Sequence, residues 1–95
     1  MADSSQIGTV VRPDGELDIN ARDDLRATIL DALAASGSVV VDLGDVTFID
    51  SEALGALIDG YNAATSSGAG FRVVNARGAV ARVLNVSGAQ ELFDS

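Results

Sequence analysis

The residue types able to do chemistry here are narrowly drawn. The sequence contains no cysteine and no histidine, and its six basic residues are all arginine. Thiol nucleophiles, disulfides, serine catalysis through an imidazole base and the two commonest transition-metal ligands are therefore excluded. With no lysine, amine chemistry is excluded as well. Hydroxyls and carboxylates remain, and their most informative grouping is Asp50-Ser51-Glu52, directly ahead of Leu54, Leu57, Ile58 and Tyr61 at helical spacing. These three residues admit two readings. Asp is a preferred N-cap, Ser is acceptable at the first helical position and Glu complements the helix dipole, so capping alone accounts for them. Alternatively, Ser51 presents its hydroxyl in an exposed first turn. A phosphate there would meet free N–H groups and the positive helix end, and would add about −1.5 to −2 charge beside Asp50 and Glu52. A partner would feel that change more than the fold would.

Ser51, Gly55 and Asp59 fall at i, i+4 and i+8, on the side of the helix away from much of the apolar stripe. Gly55 and Ala56 are small enough for another protein to approach closely. The plainer alternative is a helix with a little glycine on its exposed face, although glycine costs about 1 kcal/mol relative to alanine there. Upstream, Gly15-Glu16-Leu17-Asp18 is ambiguous: Asp18 caps a following helix or is simply solvated. The candidate partner-binding residues are thus Asp18, Asp50, Glu52, Gly55, Ala56 and Asp59, with Ser51 as the modifiable group. No catalytic residue, cofactor or metal site is expected. Ser66-Ser67-Gly68-Ala69-Gly70 lacks the Lys and following helix of a phosphate cradle, the acids lack calcium-loop spacing, and Asn85-Val86-Ser87 has no secretory signal to make it a glycan acceptor.

The elements that must position these residues alternate between short apolar runs and helical patterns, which predicts an α/β fold. Ile7–Arg12 reads as a strand stopped by Pro13-Asp14-Gly15, and a helix follows from about Ala21 to Ser36, with Leu25, Ile29, Ala32 and Leu33 inward. Gly37 caps it. Ser38–Leu43, with three consecutive valines, suits a strand buried on both faces. After a short loop the Ser51 helix runs to about Ser67-Gly68, Phe71–Ala76 forms another strand, and Val80, Val83 and Leu84 mark a third helix ending near Gly88. Ala89–Ser95 is left as a terminal turn or strand. The expected architecture is one domain over residues 1–95, with a small, largely parallel sheet of about four strands flanked by three to four helices. Loops leaving the carboxyl ends of parallel strands share one edge, which predicts that Glu16–Asp18 and Thr47–Ser51 are neighbours.

Composition narrows the setting. Ninety-five residues suit a single core, and a 47% hydrophobic content with only 4% aromatics describes an aliphatic one. A net charge of −8 would repel phosphate backbones and anionic membranes, so direct nucleic-acid binding is not expected. The start, Met1-Ala-Asp-Ser-Ser, shows neither a signal peptide nor an apolar anchor, so a cytoplasmic protein without membrane insertion is expected.

The run of Gly15-Glu16-Leu17-Asp18, then Val39-Val40-Val41-Asp42-Leu43, then Val46-Thr47-Phe48-Ile49-Asp50-Ser51-Glu52-Ala53-Leu54-Gly55 resembles the STAS domain of anti-sigma-factor antagonists, over about Val10 to Phe93. The resemblance implies a small sheet flanked by helices. It also implies a regulatory cycle. Unphosphorylated protein binds an anti-sigma factor of histidine-kinase-like ATPase fold and frees the sigma factor, phosphorylation at Ser51 ends binding, and a metal-dependent serine phosphatase restores it. Asp50 and Asp18 match family acids beside that serine. Glu52 and Ala53 stand where a small residue and glycine are common, and the additional N-terminal strand of typical members is not fully supplied. Weak self-association through an open sheet edge, blunted by Pro13, is therefore expected. The alternative within the family is a non-phosphorylated subunit of a transporter or stress-signalling complex.

Overall fold

In the computed structural model, which describes residues 8–94, two long strand paths are each broken in the middle. Thr9–Val11 (β1) gives way at Arg12-Pro13-Asp14, where proline cannot donate to a ladder, and resumes as Gly15–Leu17 (β2). Ser38–Asp42 (β3) is interrupted at Leu43-Gly44-Asp45 and resumes as Val46–Ile49 (β4). The same two paths pair on both sides of the break: β1 with β3, and β2 with β4, all in parallel. Gly70–Val74 (β5) adds to the other side of β3, giving sheets of order β1-β3-β5 and β2-β4.

One side chain organises the break. The carboxylate of Asp42 accepts from Gly44 N–H at 2.9 Å, from Asn75 Nδ2 at 3.1 Å and from Arg12 Nε at 3.3 Å. It therefore joins all three strand paths where they bend. Arg77 closes the arrangement by donating to the Gly44 carbonyl at 2.8 Å. Asn75, at φ 64, takes the left-handed conformation that ends β5; asparagine is among the side chains that tolerate it.

The crossover helices are Ile19–Ser36 (α1) and Ser51–Ser67 (α2), and they pack against one another. Each ends on a left-handed glycine, Gly37 and Gly68, whose N–H satisfies carbonyls of the last turn. Gly78–Ser87 (α3) and Ala89–Asp94 (α4) complete the chain. Val39, Val41, Leu43 and Ile49 from the strand paths meet Ile29, Leu57, Val80 and Leu84 from the helices in the fully buried centre. Tyr61, Phe71 and Phe93 cluster at one end, with ring centroids 5.6 to 6.2 Å apart. Among the described residues no helix is long and apolar enough to cross a membrane.

The expected α/β class and parallel sheet are present, with refinements. The first strand is shorter than Ile7–Arg12, and Ile7 lies outside the described residues. Glu16, Leu17, Thr47 and Phe48, expected in loops, are strand residues. The first helix starts at Ile19, earlier than Ala21, because Asp18 caps it. The strand expected over Phe71–Ala76 is Gly70–Val74, and the segment from Ala89 to Asp94 is helix. Pro13 lies beyond the end of β1, at the break, and so does not blunt the edge itself.

Two glycines of α2 illustrate opposite constraints. A Cβ on Gly60 would lie 2.7 Å from Ile29 Cγ2 and 3.0 Å from Phe71 Cε2, whereas one on Gly55 would meet nothing within 4 Å. Overpacking a filled core costs roughly 1–3 kcal/mol, and relief of glycine in a helix gains about 1 kcal/mol. Gly55→Ala is thus expected to raise stability by up to about 1 kcal/mol. Gly60→Ala is expected to lower it by up to about 2 kcal/mol after the same gain. Urea unfolding of both variants checks this, and a more stable Gly60→Ala protein would contradict the packing.

The Asp42 carboxyl is held below its ordinary value of 3.8, foremost by the Gly44 N–H and then by Asn75 and Arg12. A depressed carboxyl stabilises the fold above its ordinary pKa and withdraws that stability as pH falls through the native value. Asp42→Asn is expected to be less stable than the parent at neutral pH. The two unfolding midpoints should converge as pH falls below 3.8; a constant gap down to the acid limit would exclude this role.

Candidate functional site

The break in the strand paths sets the site. Register pairs Leu17 with Ile49, and the N–H of Asp50 donates to the Leu17 carbonyl at 3.0 Å. Asp18 and Asp50 therefore follow directly from paired residues, and the two helices begin side by side. Each aspartate is an N-cap. Asp18 Oδ1 accepts from Asn20 N–H, and Asp50 Oδ1 from Ala53 N–H, both at 2.9 Å. The predicted nearness of Glu16–Asp18 and Thr47–Ser51 holds, with strand pairing as its cause.

Ser51 is the first residue of α2 and is exposed. First-turn N–H groups have no partner within the helix, and the Asp50 side chain takes only that of Ala53. An anion on the Ser51 hydroxyl would consequently sit beside backbone donors, but also between two carboxylates. Glu52 is exposed and accepts from Arg22 of α1 at 2.7 Å; Arg22 Nε also reaches Asp23 at 3.2 Å. The Glu52 hydrogen bond, followed by that to Asp23, raises the Arg22 pKa, so this guanidinium stays charged. One helical turn along α1, Arg26 lies 3.7 Å from Asp59 of α2. Glu52 and Asp59 thus join the helices on their outer side through solvent-exposed pairs, which contribute little individually.

Gly55 lies between them, half-buried, with open space above it. Ala56 does not belong to this surface. It is 1% exposed and packs into the core, because its position follows the Ala53–Leu57–Gly60–Ala64 face and not the Ser51–Gly55–Asp59 face. Its expected direct contact with a partner is corrected accordingly.

Two apolar residues escaped the sequence reading. Phe48 is 45% exposed and Ile19 is 54% exposed. Phe48 stands in register with exposed Glu16, three residues before Ser51, and Ile19 follows Asp18. An aromatic in a short β-branched run was a usable signal for Phe48. Reading the segment as a loop removed the alternation that would have asked which way it faced, and the observed Val46–Ile49 pattern, with both central residues outward, does not alternate either. Apolar Phe48 and Ile19 among carboxylates make a surface suited to protein recognition.

The family model described as "Mlab, STAS domain" matches residues 1–94. The chain belongs to the STAS domain family. Among solved structures it is similar to the Thermotoga maritima protein TM1081, proposed to be an anti-sigma factor antagonist. Identity is 27% with a TM-score of 0.77, covering 86% of this chain and 72% of that one. It is similar also to the anti-sigma factor antagonist SpoIIAA in its unphosphorylated form, at 26% identity and a TM-score of 0.73, covering 83% and 70% of the two chains. The phosphorylated form of the Bacillus cell fate determinant SpoIIAA shares the fold, at 24% identity and a TM-score of 0.69, covering 86% and 76%.

Removing the cap separates structural from recognition roles. Asp50→Ala is expected to lower stability by about 1 kcal/mol through loss of the Ala53 N–H bond. Chemical denaturation together with amide exchange in the first turn of α2 would detect it. Unchanged exchange there would mean that the cap is dispensable.

Proposed function

We propose that this protein is an anti-sigma-factor antagonist. It binds a cognate anti-sigma factor, a serine kinase of histidine-kinase-like ATPase fold, while Ser51 is unphosphorylated and releases it once Ser51 carries phosphate. The observation that carries the reading is the exposed Ser51 hydroxyl at the start of α2, set between Asp50 and Glu52 and beside Asp18. The likeness to anti-sigma factor antagonists supports it. The partner surface comprises Asp18, Asp50, Glu52, Gly55 and Asp59, with Phe48 and Ile19 as apolar anchors and Ala56 supporting from beneath.

In this cycle the partner kinase brings ATP and its metal, and the chain itself is not an enzyme. The Ser51 oxygen takes the γ-phosphoryl group and ADP leaves. A metal-dependent serine phosphatase returns the hydroxyl by hydrolysis, releasing inorganic phosphate. The new dianion stands next to Asp50 and Glu52, which strengthens a negative patch that the kinase must bury. Like charges brought together across an interface cost several kcal/mol. All of this takes place in the cytoplasm, with no direct contact to nucleic acid.

A second reading is favoured by two observations: the matching family model carries the MlaB description, and Glu52, where a small residue is common, is already engaged by Arg22. On that reading the chain is a non-phosphorylated subunit of a transporter or stress-signalling complex, and Ser51 is only a first-turn residue.

Incubation of the protein with the purified kinase and ATP, read by intact mass, is expected to add a single phosphate to the parent and none to Ser51→Ala. Ser51→Glu should weaken kinase binding at least about thirtyfold, the effect of roughly 2 kcal/mol, with an unchanged circular dichroism spectrum. Phosphate still entering Ser51→Ala would refute the site. Binding of the kinase indifferent to Ser51→Glu, with co-purification of a transporter ATPase, would establish the second reading.

A further inference from the structure

Away from Ser51, β1 pairs with β3 on one side, and its other edge has no partner among the described residues. That edge and α1 form the walls of an open groove of about 680 Å³. Its apolar lining includes Val11, Leu17, Leu25, Ala32 and Ala35. Val10, on the face of β1 opposite Val11, is 43% exposed. The rim has a single sign of unpaired charge. Asp24 and Asp31 of α1 and Asp14 beyond β1 all line the groove, and none has an ion-pair partner among the described residues. The one cation there, Arg12, is already bonded to Asp42.

We propose that this groove receives an extended segment of a partner protein, with a short apolar core flanked by Lys or Arg, added as a strand to the free edge of β1. An unpaired edge supplies backbone hydrogen bonds to such a segment, and the groove takes its alternate side chains. The lengths agree. Three strand residues span roughly 10 Å, and Asp24 and Asp31, seven residues apart on one helix, are separated by about 10.5 Å along its axis. β1 ends at Val11, which limits the pairing to about that core. Charge selects the occupant. A second copy of this chain would bring the same three carboxylates to the contact. A basic segment neutralises the rim, whereas a second copy adds to its charge.

The probe is a fluorescein-labelled peptide with a Val-Thr-Val core and a pair of lysines on each flank, titrated into the full chain. Its glutamate-flanked counterpart serves as control. The lysine peptide is expected to bind at least about tenfold more tightly, with amide shifts confined to Thr9–Val11 and the Asp24–Ala35 face of α1. Asp24→Asn combined with Asp31→Asn, both at exposed positions, should remove most of that preference. Ser51→Glu should leave it intact, so a failure here is distinct from a failure of the kinase-binding surface. Equal binding of the two peptides, no binding, or shifts elsewhere would overturn the proposal. So would β1 edge amides already protected in the free monomer, which would assign the groove to the preceding residues, or a concentration-dependent dimer protecting them, which would assign it to a second copy.

Discussion

Two parallel strands that end level with one another must launch their crossover helices from the same place. In this chain the pairing of Leu17 with Ile49, closed by the Asp50 N–H to the Leu17 carbonyl, is that constraint. It places Asp18 and Asp50 side by side, and with them the two helix starts. Because α1 and α2 leave together and lie on one another, Arg22 and Arg26 come opposite Glu52 and Asp59. The Asp42 network secures the same relation from the other side of the break by tying Arg12, Gly44 and Asn75 to one carboxylate. The position of Ser51 is thus a consequence of strand register, and its helix cap is local detail added to it.

Much of this was legible beforehand, for reasons that differ between elements. The faces of α1 and α2 followed from apolar spacing, since Leu25, Ile29, Leu54 and Leu57 are all buried, and the glycine stops at Gly37 and Gly68 followed from conformational necessity. The divided strand paths were harder to see. Gly15–Leu17 is three residues long and Val46–Ile49 four, too short for period-two alternation to register, and both follow turn residues that suggest loops. Their pairing is a long-range fact, visible only when the strands are set together. Ala56 failed for another reason: small size marks a residue as approachable but does not say which side of the helix it occupies. The buried face of α2 includes alanine and glycine, at Ala53, Ala56, Gly60 and Ala64, because α1 and the sheet come close there.

A phosphate at Ser51 would have little purchase on this framework. The Ala53 N–H is already satisfied by Asp50, the apolar face of α2 lies opposite, and remaining first-turn donors can receive an anion without rearrangement. The side-chain interaction within its neighbourhood most open to change is the exposed Arg22–Glu52 pair, since both partners are solvated and a dianion on the adjacent residue competes with Glu52 for the same guanidinium. Exchange of one exposed pair for another alters the fold's stability little. It alters considerably the charge that a docking protein meets.

The serine surface and the β1 groove make different demands on a partner, and α1 keeps them apart. At the helix starts, Phe48 and Ile19 stand among acids in an arrangement whose charge one covalent modification can change. Along the other side of α1 the carboxylates of Asp24 and Asp31 are fixed in number, and the recognising element is backbone at the β1 edge. α1, which packs along α2, separates the two surfaces. Occupation of the groove would draw on none of the groups around the serine. The two proposed contacts draw on separate groups of atoms, so partners at the serine and at the groove would not compete for the same side chains.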